Sequence, residues 1–215
     1  SGEAILFTVR DQEGTAPWSV VEDVTFTNNV VRHVGGGVNV LGHDYYHPSE
    51  QAKRLTVRNN FFDDVSGERW NGKGEFLLVS QRAADLTFDH NTVVHTGSVA
   101  IASEGPHAGF VFTNNLLAHN QYGIHGDGTG SGNQTFAKYF PGAVVRRNLI
   151  AGANPADYPA DNFYPLTLGE AGLAAAAGRA LRLRPDSRYR GRATDRKDVG
   201  CDFDALSAAN PSLAR

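Results

Sequence analysis

The chain contains no methionine, and its single cysteine is Cys201. One thiol cannot close an internal disulfide, which rules out both a disulfide-stapled scaffold and a cysteine-rich metal site. No apolar run approaches the roughly 18 residues of a membrane-spanning helix, so membrane insertion is not expected. Charge of one sign is also lacking. Twenty Lys and Arg face 23 Asp and Glu, a formal charge of −3, and nucleic acid is therefore not expected as a partner. No basic segment and cleavage site precede the first strand-like run, so no signal peptide is read. With no initiating methionine, the 215 residues read as a trimmed piece of a longer protein. Gly35-Gly36-Gly37 lacks the Lys-Ser/Thr of a phosphate loop, and Ser98 lacks the flanking glycines of a nucleophile elbow.

What the chain has in quantity is glycine, 24 residues, and asparagine, 15. Much of the asparagine belongs to one phrase that recurs five times: VTFTNNVV, LTVRNNFF, LTFDHNTV, FVFTNNLL and AVVRRNLI. The second residue of its polar pair is always asparagine: Asn29, Asn60, Asn91, Asn115 and Asn148. The intervals are 31, 31, 24 and 33 residues. Each phrase opens with apolar-polar alternation in strand-forming residues, as in Val24-Thr25-Phe26, and a second short strand follows, as in Val38 to Leu41. A unit of two or three short strands cannot bury its own apolar face, so successive units must stack. The predicted fold is all-β, a right-handed single-stranded parallel β-helix. In it the five asparagines form a structural ladder, each adopting a turn conformation and bonding to the next coil. The residue before each ladder position varies (Asn28, Asn59, His90, Asn114, Arg147), as expected of a side chain facing water. A β-sandwich would call for tight hairpin turns and a propeller for longer units, and neither pattern is present.

The repeated apolar-Thr-apolar-x-x-Asn phrase resembles the coils of right-handed parallel β-helix proteins, the pectate lyase-like group that includes many polysaccharide-acting proteins. The resemblance covers residues 20–151. The run Thr194-Asp195-Arg196-Lys197-Asp198-Val199-Gly200-Cys201-Asp202 is similar to the tail with which many bacterial members end, with Arg196 and Cys201 replacing Gly and Ala. The resemblance implies a polysaccharide partner, an extracellular or cell-surface bacterial setting, and calcium as the one conceivable cofactor. The clustered Asp ligands of the uronate lyases have no match here, Arg58 and Lys73 are possible bases on position alone, and no other cofactor is indicated.

Candidate site residues lie in the insertions between coils. Glu104, Asp127 and His125 fall at similar offsets from their ladder asparagines and are the candidate catalytic groups, the two carboxyls being expected on adjacent coils about 5 Å apart. His43, Asp44, Tyr45, Tyr46, Trp70 and Lys73 are the candidate substrate-binding residues, the aromatic rings offering flat faces to a sugar. All are expected along one edge. His33, Asp64, His95 and His119 share a second register, but stacked side chains form a straight row rather than converging on a metal, and no metal site is assigned.

Residues 1–151 are expected to form the coils, truncated at the N-terminal end, and 152–215 a capping region on the same solenoid. Within the cap a short helix is predicted over Glu170 to Leu181, a last strand over Val199 to Phe203, and a turn at Asp204 to Ala209. The open N-terminal end is expected to meet upstream coils of the precursor or a second copy. Two functional classes follow: a carbohydrate-binding or carbohydrate-processing module, and a non-catalytic structural or adhesive stalk.

Overall fold

The computed structural model describes residues 2–176 and 180–211. A leading strand, β1 (Ile5–Thr8), precedes the first complete coil, which comprises β2 (Glu22–Thr27), β3 (Val30–Val34) and β4 (Val38–Leu41). The second coil follows as β5 (Lys53–Arg58), β6 (Phe61–Val65), the short helix α1 (Gly67–Trp70) and β7 (Leu77–Ser80). The third is β8 (Ala84–Asp89), β9 (Thr92–His95) and β10 (Ala100–Ala102), and the fourth β11 (Val111–Thr113), β12 (Leu116–Ala118) and β13 (Ile124–Gly126). Helix α2 (Asn133–Tyr139) then leads to β14 (Val144–Arg146) and β15 (Leu149–Ala151). Equivalent strands pair in parallel into three sheets, ordered β1-β4-β7-β10-β13, β14-β11-β8-β5-β2 and β15-β12-β9-β6-β3. This is a right-handed parallel β-helix with three strands per coil.

The pairing register stacks like residues along the axis. Val24 pairs with Leu55 and Leu55 with Leu86, and Phe26 meets Val57, which meets Phe88. Their inward side chains fill the lumen. Phe62, Phe76, Phe88, Phe110, Phe112 and Phe140 are fully buried. Ring centroids 5.0 Å apart for Phe62–Phe76, 5.8 Å for Phe76–Phe88 and 4.2 Å for Phe110–Phe140 make this an aromatic spine. Burial of rings of this size dominates the driving force for stacking.

The asparagine ladder runs along the corner between the second and third sheets. The Asn60 amide and Nδ2 both donate to Asn91 Oδ1 at 3.1 Å, and Nδ2 also donates to the Phe26 carbonyl at 2.9 Å. Asn91 bonds to Asn115, and Asn115 to Asn148, in the same way. A sixth rung is present: Asn148 donates twice to Asn162 Oδ1 at 2.9 Å, and Phe163 bridges to Leu149. The left-handed turn conformation is taken by the preceding residue and not by the ladder asparagine: φ is 57° at Asn28, 50° at Asn59, 52° at His90, 58° at Asn114 and 57° at Arg147. Asn is well suited to this region, which most residues avoid.

These left-handed residues form a track for the C-terminal segment, so His90 (5 % exposed) and Asn114 (2 %) do not face water as expected. Thr194 and Asn114 bond reciprocally at 2.8 Å. The Gly200 carbonyl accepts from His90 Nδ1 at 2.9 Å, the Asp202 amide donates to Asn59 Oδ1 at 2.6 Å, and Asn210 Nδ2 donates to the Asn28 carbonyl at 2.7 Å. The segment is a strap running from the fourth coil back to the first.

Two expectations for this region are corrected. Where a helix over Glu170 to Leu181 was predicted, an antiparallel hairpin of β16 (Leu173–Ala176) and β17 (Ala180–Leu183) stands, with positions 177–179 outside the described residues. Leu173 and Leu183 bury against Leu116, Leu149 and Val199, and this docking outweighs the intrinsic helical preference of alanine. The strand and turn predicted over 199–209 are instead an irregular segment that bends at Val199 and Gly200 and a helix, α3 (Phe203–Ala209). Asp202 caps α3, its Oδ1 accepting from the amides of Asp204 and Ala205 at 3.0 Å. Asp202→Ala is expected to cost about 1 kcal/mol, read as a lowered urea midpoint. An unchanged midpoint would mean that the cap adds nothing to stability.

Candidate functional site

The register of the first sheet continues two residues upstream of its strands. Glu3, Gly36, Glu75, Ser98 and Tyr122 thereby occupy one position on successive coils, at the corner where the chain enters the sheet. Backbone bonds from Gly37 N to the Glu75 carbonyl and from Phe76 N to the Ser98 carbonyl carry the ladder through this corner. On the sheet itself Leu6, Asn39, Leu78, Ile101 and His125 are in register.

A groove of about 510 Å³ opens where the corner meets the sheet, lined by Lys73, Glu75, Thr96, Ser98, Ile101, Tyr122 and His125, among others. Such a volume lies within the roughly 300–1,000 Å³ of small-ligand sites. Glu75 is 2 % exposed, and its Oε2 has no hydrogen-bond partner among the described residues. Burial raises the Glu75 pKa above the usual carboxylate value. The neighbouring Glu3 carboxylate adds to the shift, and the Lys73 ammonium opposes it. Glu3 lies over Gly36, where an added Cβ would stand 3.1 Å from Glu3 Cγ, and its Oε2 accepts from Asn39 Nδ2 at 3.3 Å. A carboxyl of this kind holds its proton to higher pH than an exposed one. His125 Nε2 is likewise buried without a partner. Burial lowers the His125 pKa, with the Asp127 carboxylate opposing, and the Tyr122 ring packs edge-on at 5.3 Å.

Of the residues singled out in the sequence, His125 and Lys73 meet in this groove. The others lie elsewhere. Glu104, in a left-handed turn with φ 50°, accepts from Gln81 Nε2 at 2.9 Å. Asp127 follows β13 and pairs in level with Ser103, one residue short of Glu104. Its carbonyl accepts from Lys138 Nζ and Tyr139 Oη, both at 2.8 Å. His43, Asp44, Tyr45 and Tyr46 form a braced loop at the corner where the chain leaves the sheet. Asp44 accepts from the amides of Tyr46 at 2.8 Å and Asp11 at 3.0 Å, His43 Nδ1 lies 3.3 Å from the Ser49 carbonyl, and Tyr45 Oη donates to Ser80 Oγ at 3.1 Å. Tyr46 remains 85 % exposed. Trp70, on α1, donates from Nε1 to Asp64 Oδ2 at 2.9 Å and packs on His33 at 5.1 Å. The candidates therefore divide between the two corners of the sheet.

The His33, Asp64, His95 and His119 register is taken up by local bonds. His33 Nδ1 lies 3.0 Å from Asp64 Oδ2, and His95 Nε2 lies 2.9 Å from the Ala118 carbonyl, with burial lowering the His95 pKa to about 4. Among the described residues no three His, Cys, Asp or Glu side chains are arranged to hold a metal ion. Sequence reasoning missed Glu75, Glu3 and Tyr122. The available signal was their common place two residues before each short strand.

Comparison of the chain with protein families, with curated proteins and with solved structures gives no match. The architecture is that of a parallel β-helix in general, a scaffold consistent with carbohydrate-associated and with structural roles. No helix among the described residues is long and apolar enough to cross a membrane.

Proposed function

We propose that the chain is a carbohydrate-binding β-helix module of a bacterial surface or secreted protein, seating a glycan in the Glu75–His125 groove. One observation carries this reading: two buried polar atoms, Glu75 Oε2 and His125 Nε2, belong to residues lining the same groove and have no described partner. Leaving such groups unpaired costs about 1–3 kcal/mol each, and a hydroxyl-rich ligand drawn into the groove would offset that cost. A sugar suits the remaining lining. Tyr122, 62 % exposed, offers a ring to the apolar face of a pyranose, and Ser98, Thr96 and Lys73 offer groups to its hydroxyls. From the Glu75 coil to the Tyr122 coil the groove extends over two strand spacings, about 10 Å.

A glycan array tests the proposal. The chain is expected to be retained by at least one oligosaccharide class, and Tyr122→Ala and Lys73→Ala to weaken retention about tenfold, equivalent to about 1.4 kcal/mol. Retention by no glycan, or retention that both variants leave intact, would overturn the groove reading in favour of a structural stalk.

A further inference from the structure

Another cavity, of about 450 Å³, opens at the C-terminal end of the solenoid, where the asparagine ladder stops. It is lined by Asn162, Phe163, Tyr164, Arg188, Tyr189 and Arg192, a set with two guanidiniums and no carboxylate. We propose that this cavity binds a small phosphate monoester. The phosphate is held by Arg188, Arg192 and the Asn162 amide, and the ring of the organic part lies on Phe163 and Tyr164. The cavity shares no lining residue with the Glu75–His125 groove and does not rest on the glycan reading.

The charged wall is built by one turn. Residues 188–191 turn after β17, with the Arg190 amide donating to the Ser187 carbonyl at 3.3 Å and Gly191 left-handed at φ 64°. Tyr189 anchors the turn: it is buried with Leu149, Leu173 and Val199, and its ring stands 5.3 Å from Phe163. Arg188 and Arg192, on either side of the turn, thereby reach the same cavity, while Arg190 between them pairs with Asp198 at 3.2 Å. Arg184 pairs with Asp186 at 3.4 Å, and Asp161 is shared by Arg146 at 3.3 Å and Arg147 at 3.0 Å. These three carboxylates are therefore taken. Arg188 and Arg192 are exposed and have no ion-pair partner among the described residues. Arg188 is also fixed in place, its Nη2 donating to Tyr189 Oη at 2.7 Å with the guanidinium 5.0 Å from that ring. An arginine fixed in this way keeps other donors free and loses less freedom on binding.

The ladder supplies a third donor. At each earlier rung the asparagine amide donates to the Oδ1 of the next, as Asn115 does to Asn148 and Asn148 to Asn162, both at 2.9 Å. Asn162 is the last rung. Its Oδ1 is used by Asn148 and its Nδ2 by the Val145 and Pro159 carbonyls at 3.0 Å, but its amide has no acceptor among the described residues. A ligand oxygen in the cavity takes the place that a further Oδ1 would hold.

Charge and shape select the ligand. Two unpaired guanidiniums match the charge of about −2 on a phosphate monoester at neutral pH, whereas a carboxylate or a sulfate ester carries a single charge. Three donor groups suit the three free oxygens of the phosphate better than the two of a carboxylate. The volume falls within the roughly 300–1,000 Å³ of small-ligand sites and leaves room for a ring beyond the phosphate. Phe163 and Tyr164 offer that ring apolar faces, Tyr164 being held by its Oη donating to the Pro159 carbonyl at 2.7 Å.

Isothermal titration with 4-nitrophenyl phosphate, beside inorganic phosphate and 4-nitrophenyl sulfate, tests the assignment. The phosphate ester is expected to bind once per chain and to shift the Asn162 amide signal in a nitrogen–proton NMR spectrum. Arg192→Ala removes an exposed side chain with no described ion pair, so melting should persist while binding weakens about tenfold. Arg188→Lys keeps the charge, loses the planar fork and is expected to weaken binding several-fold. Arg184→Ala, in the same segment but outside the cavity, is expected to leave binding unchanged. Inorganic phosphate binding as tightly as the ester would overturn the ring-bearing ligand, and the sulfate ester binding as tightly would overturn the choice of a dianion. Binding that leaves the Asn162 signal in place would overturn the location. Failure of all three probes to bind, or equal losses in Arg184→Ala and Arg192→Ala, would overturn the site itself.

Discussion

Asn115→Ala is expected to lower folding stability by about 3–5 kcal/mol, enough to leave little folded protein at 37 °C if the whole domain has the usual 5–15 kcal/mol. Asn115 has no solvent exposure and sits in the middle of the ladder. Its Oδ1 accepts from the Asn91 amide at 2.9 Å and from Asn91 Nδ2 at 3.0 Å. Its Nδ2 donates to Asn148 Oδ1 at 3.0 Å and to the Phe88 carbonyl at 2.9 Å. Alanine would strand the Asn91 amide and the Phe88 carbonyl and take a donor from Asn148 Oδ1, disturbing the coils on both sides at a place where water cannot replace the lost partner. Urea unfolding of Asn115→Ala beside Asn29→Ala makes the comparison. Asn29 is the first rung and partly accessible, so solvent can satisfy what its loss leaves open, and a cost of about 1 kcal/mol is expected there. Equal costs at the two positions would show that burial of the ladder is not what makes it stabilising.

Gly42→Ala is expected to be comparably severe, at about 3 kcal/mol or more, or to abolish soluble expression. Gly42 follows β4 where the chain turns out of the first sheet. An added Cβ would stand 1.9 Å from the Gln81 carbonyl oxygen and 2.2 Å from the Ala83 amide nitrogen. Both atoms are backbone of the next coil and cannot swing aside. The Gly42 amide donates to the Ser80 carbonyl at 2.9 Å and its carbonyl accepts from Ala52 N at 2.7 Å, so the turn cannot withdraw without breaking the pairing that stacks the two coils. Gly142→Ala is the control. Its φ of 73° disfavours alanine, yet nothing lies within 4 Å of the added Cβ, and about 1 kcal/mol is expected. A melting temperature for Gly42→Ala within a degree or two of that for Gly142→Ala would contradict the assigned close approach.

The fold was legible because a single phrase carries both of its requirements. The Val24-Thr25-Phe26 alternation fixes which side chains face the lumen, and the asparagine recurring at 29, 60, 91, 115 and 148 marks the corner that every coil must turn. The sixth rung escaped notice, although Asp161-Asn162-Phe163-Tyr164 echoes Asn59-Asn60-Phe61-Phe62, because it follows Asn148 after 14 residues, well short of the other intervals. The left-handed residue was misplaced by one. Asparagine is favourable at both positions, and only pairing geometry separates the residue that turns from the residue that bonds. The hairpin at 173–183 was hidden by alanines whose intrinsic helical preference yields to a docking surface made of distant residues, Leu116 and Leu149.

The site was less legible than the fold. His125 and Lys73 were visible as chemistry-bearing residues in insertions, whereas Glu75 reads in sequence as the polar boundary before the Phe76 strand. Its significance comes from being shut away beside Glu3, and that depends on how far each corner insertion folds back over its neighbour. Glu104 and His43 share a similar count from the ladder with His125, but the loops differ in length and in internal hydrogen bonding, so equal counts do not bring side chains to equal places. A solenoid's regular strands preserve register, and its corners lose it.

The strap over the left-handed track also alters how the molecule comes apart. A plain stack of coils is linear, with each coil held only by its neighbours, so it can fray from an end one coil at a time. Here Thr194 is bonded to the fourth coil, Asp202 to the second and Asn210 to the first, so residues 194–210 fasten coils made well before them. Loss of the first coil releases the C-terminal helix, and loss of the helix exposes the first coil. The strap thus couples the first and fourth coils in unfolding, and Asn210 must be synthesised before the coil that holds Asn28 is fastened.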